Sequence, residues 1–264
     1  MNAPDPQLLA RLGEALRNGR DADADAIAGA ILAQAPGHAP TLAALSVRAR
    51  MRGDFERARA LARNGLEHDP RSPLLLFHLG AADADADALP AAETALRAAI
   101  AADPEHALAR FWLGDVLQRQ GEATGAITAW LQALACAERG GMLQAPARWP
   151  ADLRQRIEAA QASVRAARAA AVDGALQPLR ERHGDAALDR VQRAFAGHLG
   201  GEVPQPRHPL QQPSFLFVPG LPDRPWWERE AFPFLAALEA QTGAIREELL
   251  QVLAEEEGLA PYVD

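Results

Sequence analysis

A histidine and an aspartate stand at a spacing that iron chemistry uses. His183 and Asp185 form a His-x-Asp sequence, and His198 and His208 follow within 25 residues. Two imidazoles and one carboxylate on a rigid face are the ligands of a mononuclear iron(II) centre. The local pattern favours another interpretation, because Gly184 is suited to end one helix and Asp185 to cap the next. We expect a helix boundary here and no metal ligands.

Two acidic runs carry carboxylates at alternate positions. They extend from Asp21 to Asp25 and from Asp83 to Asp87, with alanine between the aspartates. A calcium loop of the helix-loop-helix kind also needs glycine at its sixth position and glutamate at its twelfth, and neither run has them. We expect both runs to lie at the same turn of a repeated unit, as solvated and helix-capping carboxylates.

Other reactive groups are sparse. Cys136 is the single cysteine, so it forms no disulfide within the chain and belongs to no zinc-ligand spacing. We find no glycine-rich phosphate loop, serine nucleophile elbow or cysteine-histidine dyad. His78 and His106 are expected at the surface. The sequence predicts no catalytic residue, no metal site and, from its cysteine content, a reducing cytoplasmic location.

The charge balance excludes several classes of partner. The chain has 27 basic residues, all arginine, against 35 acidic residues, which gives a net charge of −8. Such a chain has no electrostatic reason to bind nucleic acid or an acidic membrane. No stretch of 18 apolar residues occurs, and the N-terminal residues do not form an export signal. We expect no nucleic-acid partner and no membrane association.

The elements that must position any site recur every 34 residues. Pro36, Pro70 and Pro104 are separated by this step. Further series keep it: Leu45, Leu79 and Leu113, and then Ala24, Ala58, Ala92 and Ala126. Small residues at fixed positions allow two helices to approach closely, and proline ends the second helix. The pattern resembles the tetratricopeptide repeat.

This resemblance implies an all-α helical solenoid with capping helices. We assign about four repeats to 6–37, 39–72, 73–106 and 107–139, and a capping helical region to 151–200. Apolar residues spaced by three and four positions predict that the capping region opens with a helix over 151–172, which covers the last repeat.

The first helices of such repeats line a concave groove. The residues expected to face it, as a site for a protein or peptide, are Val47, Arg50, Phe77, Phe111, Asp115, Gln118 and Arg119. The groove is largely apolar and lacks the lysine and asparagine pattern that binds acidic C-terminal tails in similar proteins. An extended peptide or another domain of this chain is the expected partner. Alternatively, Phe77 and Phe111 pack against the neighbouring repeat.

A proline-rich linker over 201–213 precedes a segment of different composition, 214–264. Phe215 to Val218 is suited to a short strand, and a helix with a regular apolar stripe follows. The residues that stand in the order of a known family are Pro219, Gly220, Pro225, Trp226, Phe232, Pro233, Leu238, Glu239, Ile245 and Glu248. With them, 209–264 resembles the start of the catalytic domain of the aspartyl/asparaginyl β-hydroxylase family.

That resemblance implies a dioxygenase that uses iron(II) and 2-oxoglutarate to hydroxylate Asp or Asn in a protein or peptide. The family's metal-binding histidines lie downstream of the matched segment, so no ligand is carried over. A barrel of about eight strands needs roughly 70 to 100 residues, which is more than 209–264 provides. We expect a truncated member without cofactors and inactive alone. The alternative is a non-catalytic scaffold that binds a peptide or partner protein.

Overall fold

The computed structural model describes residues 4–146, 149–199, 216–221 and 226–255. Within these ranges the regular structure is helical and includes no strand, so the predicted all-α class is confirmed. The chain divides into two compact units, Met1–Val203 and Pro204–Asp264. None of the helices in the described ranges combines the length and the apolar character that a bilayer-spanning segment requires.

The first unit opens with eight helices in four consecutive pairs. They are α1 (Pro6–Arg17), α2 (Asp21–Gln34), α3 (Ala39–Met51), α4 (Phe55–His68), α5 (Pro73–Asp85), α6 (Leu89–Ala102), α7 (Ala107–Arg119) and α8 (Ala123–Arg139). The helices α3, α5 and α7 begin 34 residues apart, and so do α2, α4, α6 and α8. The helical solenoid that the proline spacing predicts is therefore confirmed.

The turn inside each pair depends on one residue with a left-handed backbone. Gly19, Gly53 and Gly121 have φ of 63°, 76° and 85°, and Asp87 takes the equivalent place with φ of 59°. These four positions are again 34 residues apart. Glycine adopts this conformation without a steric penalty, whereas aspartate tolerates it better than most residues do. The repeat therefore keeps its backbone geometry even where glycine is replaced.

Glycine also sets the close approach of the two helices in a pair. A Cβ at Gly114 would lie 2.3 Å from the Trp130 indole nitrogen, and one at Gly80 would lie 2.7 Å from the Leu96 side chain. Ser46 holds the equivalent position in the second pair, where its buried hydroxyl donates a hydrogen bond of 2.9 Å to the Ala58 carbonyl. Small residues at this register allow the large side chains of the second helix to reach the core.

The helices form two layers. α3 contacts α5 directly, and α5 contacts α7, while α4 and α6 pack against the next first helix along the chain. We call the layer of α3, α5 and α7 the first-helix layer. Because successive first helices lie side by side, this layer lines the inner, concave side of a helical solenoid.

A long helix, α9 (Ala151–His183), follows the last pair and is longer than the 151–172 helix predicted from apolar spacing. It buries Ile157, Ala160 and Val164 in the same core cluster as Trp130 of α8. Gly184, with φ of 81°, separates α9 from α10 (Asp185–His198), which packs back on α9. The break thus falls at the predicted boundary, although the N-cap of α10 is Gly184 and Asp185 is the first residue of the helix.

The two acidic runs lie on opposite sides of equivalent turns, so the prediction of a shared turn is only partly right. Asp21 opens α2, whereas Asp83 lies in the last turn of α5. The runs are 62 residues apart, which is not a multiple of the 34-residue step. Asp83 is also buried rather than solvated.

In the second unit, residues 216–218 are irregular and not a strand, and Phe215 lies outside the described residues. A short turn of 3-10 helix (Arg229–Ala231) leads to α11 (Leu235–Ala240) and α12 (Thr242–Glu255). The Arg229 guanidinium pairs with both carboxylate oxygens of Glu239. Apolar side chains of α12, among them Ile245, Leu249 and Leu253, remain about half exposed.

Candidate functional site

The predicted groove residues lie on three neighbouring helices of the first-helix layer. Val47 and Arg50 are on α3, Phe77 is on α5, and Phe111, Asp115, Gln118 and Arg119 are on α7. Phe77 and Phe111 are 4% and 0% exposed, so they belong to the core, as the packing alternative holds. Val47, Gln118 and Arg119 retain accessible surface. The accessible part of the predicted groove is thus more polar than its sequence suggests.

Charged side chains from successive helices form ion pairs along this layer. The Arg50 guanidinium of α3 donates to the Asp85 carboxylate of α5 at 3.0 Å. Arg156 of α9 pairs with Asp115 of α7, which also accepts a hydrogen bond of 3.1 Å from the Trp130 indole. Two cations and two anions therefore lie on adjacent helices, and their formal charges cancel.

The Trp112 ring lies beside both ion pairs. The guanidinium carbon of Arg156 is 4.0 Å from the ring centroid, and that of Arg50 is 5.7 Å away. Phe77 packs edge-on against the same ring with centroids 5.2 Å apart. A cation over an indole face is attracted by the ring quadrupole, so Trp112 fixes the positions of both guanidinium groups. We call Arg50, Phe77, His78, Trp112 and Arg156 the tryptophan cluster.

Two histidines pack against Phe77 and are half-buried, so the expectation that they lie at the surface holds only in part. The His78 and His106 rings lie 4.9 Å and 5.1 Å from the Phe77 ring. Burial lowers the pKa of His78 to about 4, and the nearby Arg50 charge lowers it further. Burial also lowers the pKa of His106. His78 is therefore neutral at pH 7.

Burial also governs the Arg156 guanidinium. It lowers the pKa of Arg156, an effect that the Asp85 carboxylate opposes and the Arg50 charge supports. The Arg119 guanidinium is more accessible and ties α7 to α5: it donates to the Ala84 carbonyl and to the Asp87 carboxylate, each at 2.7 Å. These contacts hold the first helices at a fixed spacing.

Sequence reasoning missed Asp85, Trp112 and Arg156. Trp112 follows His78 by one 34-residue step, so comparison of equivalent positions could have placed the two together. Asp85 was treated as a turn residue. Arg156 carries no such signal, because α9 lies outside the repeated units and its contact with α7 depends on tertiary packing.

Metal binding has no support in the described ranges, where no three His, Cys, Asp or Glu side chains come together. His183 and His198 are in this part of the chain, whereas His208 lies outside the described residues. Paired charges, buried aromatic rings and accessible polar side chains therefore occur together in the first-helix layer.

Comparisons with known proteins agree with the repeat architecture. A family model described as tetratricopeptide repeat matches residues 83–141. The helix pairs and this match together show a tetratricopeptide-repeat fold. A search of curated proteins finds no match to this chain. None of these findings supports the resemblance of 209–264 to the hydroxylase family.

The solved structures that are similar to the chain include the following two. A crystal structure of MamA protein is 22% identical, covers 67% of this chain and 93% of its own, and has a TM-score of 0.46. The first TPR of Spaghetti (RPAP3), bound to an HSP90 peptide, is 18% identical. It covers 37% of this chain and 78% of its own, with a TM-score of 0.36.

Proposed function

We propose that the chain is a tetratricopeptide scaffold that binds an extended segment of a partner protein along the first-helix layer. The observation that carries the proposal is that each of the three first helices keeps a polar side chain with accessible surface, namely Arg50 on α3, Asp85 on α5 and Arg119 on α7. A row of packed helices that presents side chains at regular spacing offers a peptide many weak contacts, and the helices lose little conformational entropy on binding.

The ion pairs define which peptides suit this surface. Arg50 is neutralised by Asp85 and Arg156 by Asp115. A strongly acidic or strongly basic peptide would meet one favourable and one unfavourable charge in each pair. We therefore expect peptides with little net charge, which agrees with the absence of a lysine and asparagine clamp for acidic tails.

Selection from a random peptide library on the immobilised full chain tests this function. We expect binders with micromolar Kd, measured by calorimetry. Val47→Glu and Arg119→Glu, in the first-helix layer, should weaken binding at least tenfold. Arg97→Glu on α6 is the matched control, because Arg97 is exposed and pairs only within its own helix in the contacts described. Failure to select any peptide, or equal losses in all three folded variants, contradicts the proposal.

A second candidate is the hydroxylase activity that the residues Pro219 to Glu248 suggest by resemblance. The described residues do not fit an iron centre, because they bring no three metal-ligating side chains together. We therefore derive no step through iron or 2-oxoglutarate, and propose that this chain uses no cofactor. The purified chain with iron(II) should not decarboxylate 2-oxoglutarate; turnover above background would reject the scaffold as its complete function.

A further inference from the structure

Three nitrogen atoms of the tryptophan cluster are buried without a hydrogen-bond partner among the described residues. They are Nε of Arg50, Nδ1 of His78 and Nε1 of Trp112. Buried polar atoms are nearly always hydrogen-bonded, because leaving one unpaired costs its full desolvation energy. Three such atoms on residues of adjacent helices call for one common explanation.

These atoms belong to side chains that lie close together. The Arg50 guanidinium carbon lies 5.7 Å from the Trp112 ring centroid, and the Phe77 ring contacts both Trp112 and His78. Trp112 is only 4% exposed. The Arg50 and Arg156 side chains, which lie over its ring, are 14% and 25% exposed. The cluster is therefore covered by two long, partly exposed side chains, and it borders the accessible face.

The chemistry of the three atoms defines a complementary group. Nε of Arg50 and Nε1 of Trp112 are donors only. His78 is neutral at pH 7, so its Nδ1 accepts when the ring proton is on Nε2. Two donors and one acceptor are complementary to a ligand group that has an oxygen acceptor and an N–H donor on the same carbon. An amide group has this arrangement.

Charge favours an amide over a carboxylate. The two arginines of the cluster are already paired with Asp85 and Asp115, so no net positive charge remains to hold an anion. A carboxylate would also lie near these two aspartates and would offer no donor to His78.

We propose that Arg50, His78 and Trp112 form a subsite that receives one amide group of a partner peptide. This inference rests on the proposed function and specifies its ligand chemistry. The amide is either a main-chain peptide unit or the side chain of Asn or Gln.

Nitrogen-15 NMR of the full chain tests the subsite through the indole N–H signals of tryptophan. The probes are acetamide, which represents an Asn or Gln side chain, N-methylacetamide, which represents a peptide unit, and acetate. Small probes bind weakly, so concentrations on the order of 100 mM are needed. We expect the Trp112 signal to move saturably with at least one amide and much less with acetate. The amide that moves the Trp112 signal more shows whether the subsite takes a peptide unit or an Asn or Gln side chain.

Controls are available in the same spectrum. The Trp130 indole already donates to Asp115 and should not move saturably. Trp112→Phe assigns the signal, and Arg50→Met, which keeps the side-chain stem, should weaken the amide response several-fold even if the first variant does not fold. No saturable response to either amide, or a larger response to acetate, overturns the proposal.

The two proposals fail separately. If selected peptides bind through the first-helix layer but the Trp112 signal does not respond to amides, the proposed subsite is rejected and the scaffold function stands. If amides move the Trp112 signal but no peptide is selected, the scaffold function is wrong.

Discussion

At the scale of single residues, Gly114 allows a close approach between two helices. A methyl group at Gly114 would lie 2.3 Å from Nε1 and 2.4 Å from Cδ1 of Trp130, whose ring is buried and hydrogen-bonded to Asp115. The indole has no room to retreat without breaking that bond. This single position therefore fixes the spacing between α7 and α8.

Gly114→Ala should destabilise the protein by about 1–3 kcal/mol through overpacking. Urea unfolding followed by circular dichroism measures this change. Gly29→Ala on α2 is the matched control, since nothing lies within 4 Å of the added methyl group. It should stabilise the protein by up to about 1 kcal/mol through helix propensity. A neutral Gly114→Ala would show that the two helices are not in close contact.

His78 makes stability depend on pH. Its pKa falls from 6.5 to about 4 on folding because the ring is buried. Between these values the unfolded chain binds a proton that the folded chain does not. The stabilisation is therefore complete above about pH 6.5 and is lost as the pH falls towards 4, by about 3 kcal/mol in all.

His78→Gln removes this contribution and should give a shallower decline of unfolding free energy between pH 7 and pH 5. The other titrating groups are the same in both proteins, so their contributions to the pH dependence cancel in the comparison. They include His106, whose pKa is also lowered. Identical slopes in the two proteins would mean that His78 is accessible to solvent.

At the scale of elements, α4 and α5 are joined by a buried ion pair. Nε of Arg59 lies 2.7 Å from Oδ1 of Asp83, and the two side chains are 13% and 5% exposed. Burial raises the pKa of Asp83, while Arg59 and Arg63 lower it. The pair gives the two helices a specific register, because losing one partner would take from the other its buried opposite charge.

Arg59→Met should destabilise the fold by about 3 kcal/mol, and the double variant Arg59→Met with Asp83→Leu should cost less than Arg59→Met alone. Chemical denaturation of the two variants measures this difference. Arg139→Met breaks the exposed pair with Glu105 and should cost under about 1 kcal/mol. A double variant that loses more stability than Arg59→Met alone would contradict the interaction of the two charges.

The 34-residue step accounts for much of what the sequence could predict about these elements. Proline, leucine and alanine recur because each pair repeats the same backbone, so periodicity predicts the helices α2 to α8. Ser46 departs from glycine at its register and is accommodated by a hydrogen bond to Ala58. The left-handed turn at Asp87 was not predicted, since aspartate there resembles a solvated acidic run.

At the scale of the whole molecule, the candidate site was harder to predict than the fold. Phe77 and Phe111 have the periodicity of groove residues and of core residues alike, and only packing distinguishes the two. The Arg156 contact with Asp115 joins a non-repeated helix to a repeated one. The spacing of residues along a single sequence does not predict such a contact, because the contact forms only in the tertiary structure.

The whole molecule also combines a rigid repeat unit with exposed apolar side chains in its second unit, on α12. We assign peptide binding to the repeat unit. This choice follows from the side-by-side packing of α3, α5 and α7, each of which carries accessible residues.

Backbone nitrogen-15 NMR of the full chain with a selected peptide tests that assignment most directly. The account predicts that the largest shift changes fall on accessible residues of α3, α5 and α7, among them Val47, Gln118 and Arg119. Changes confined to α4, α6 and α8, or to α11 and α12, would contradict it.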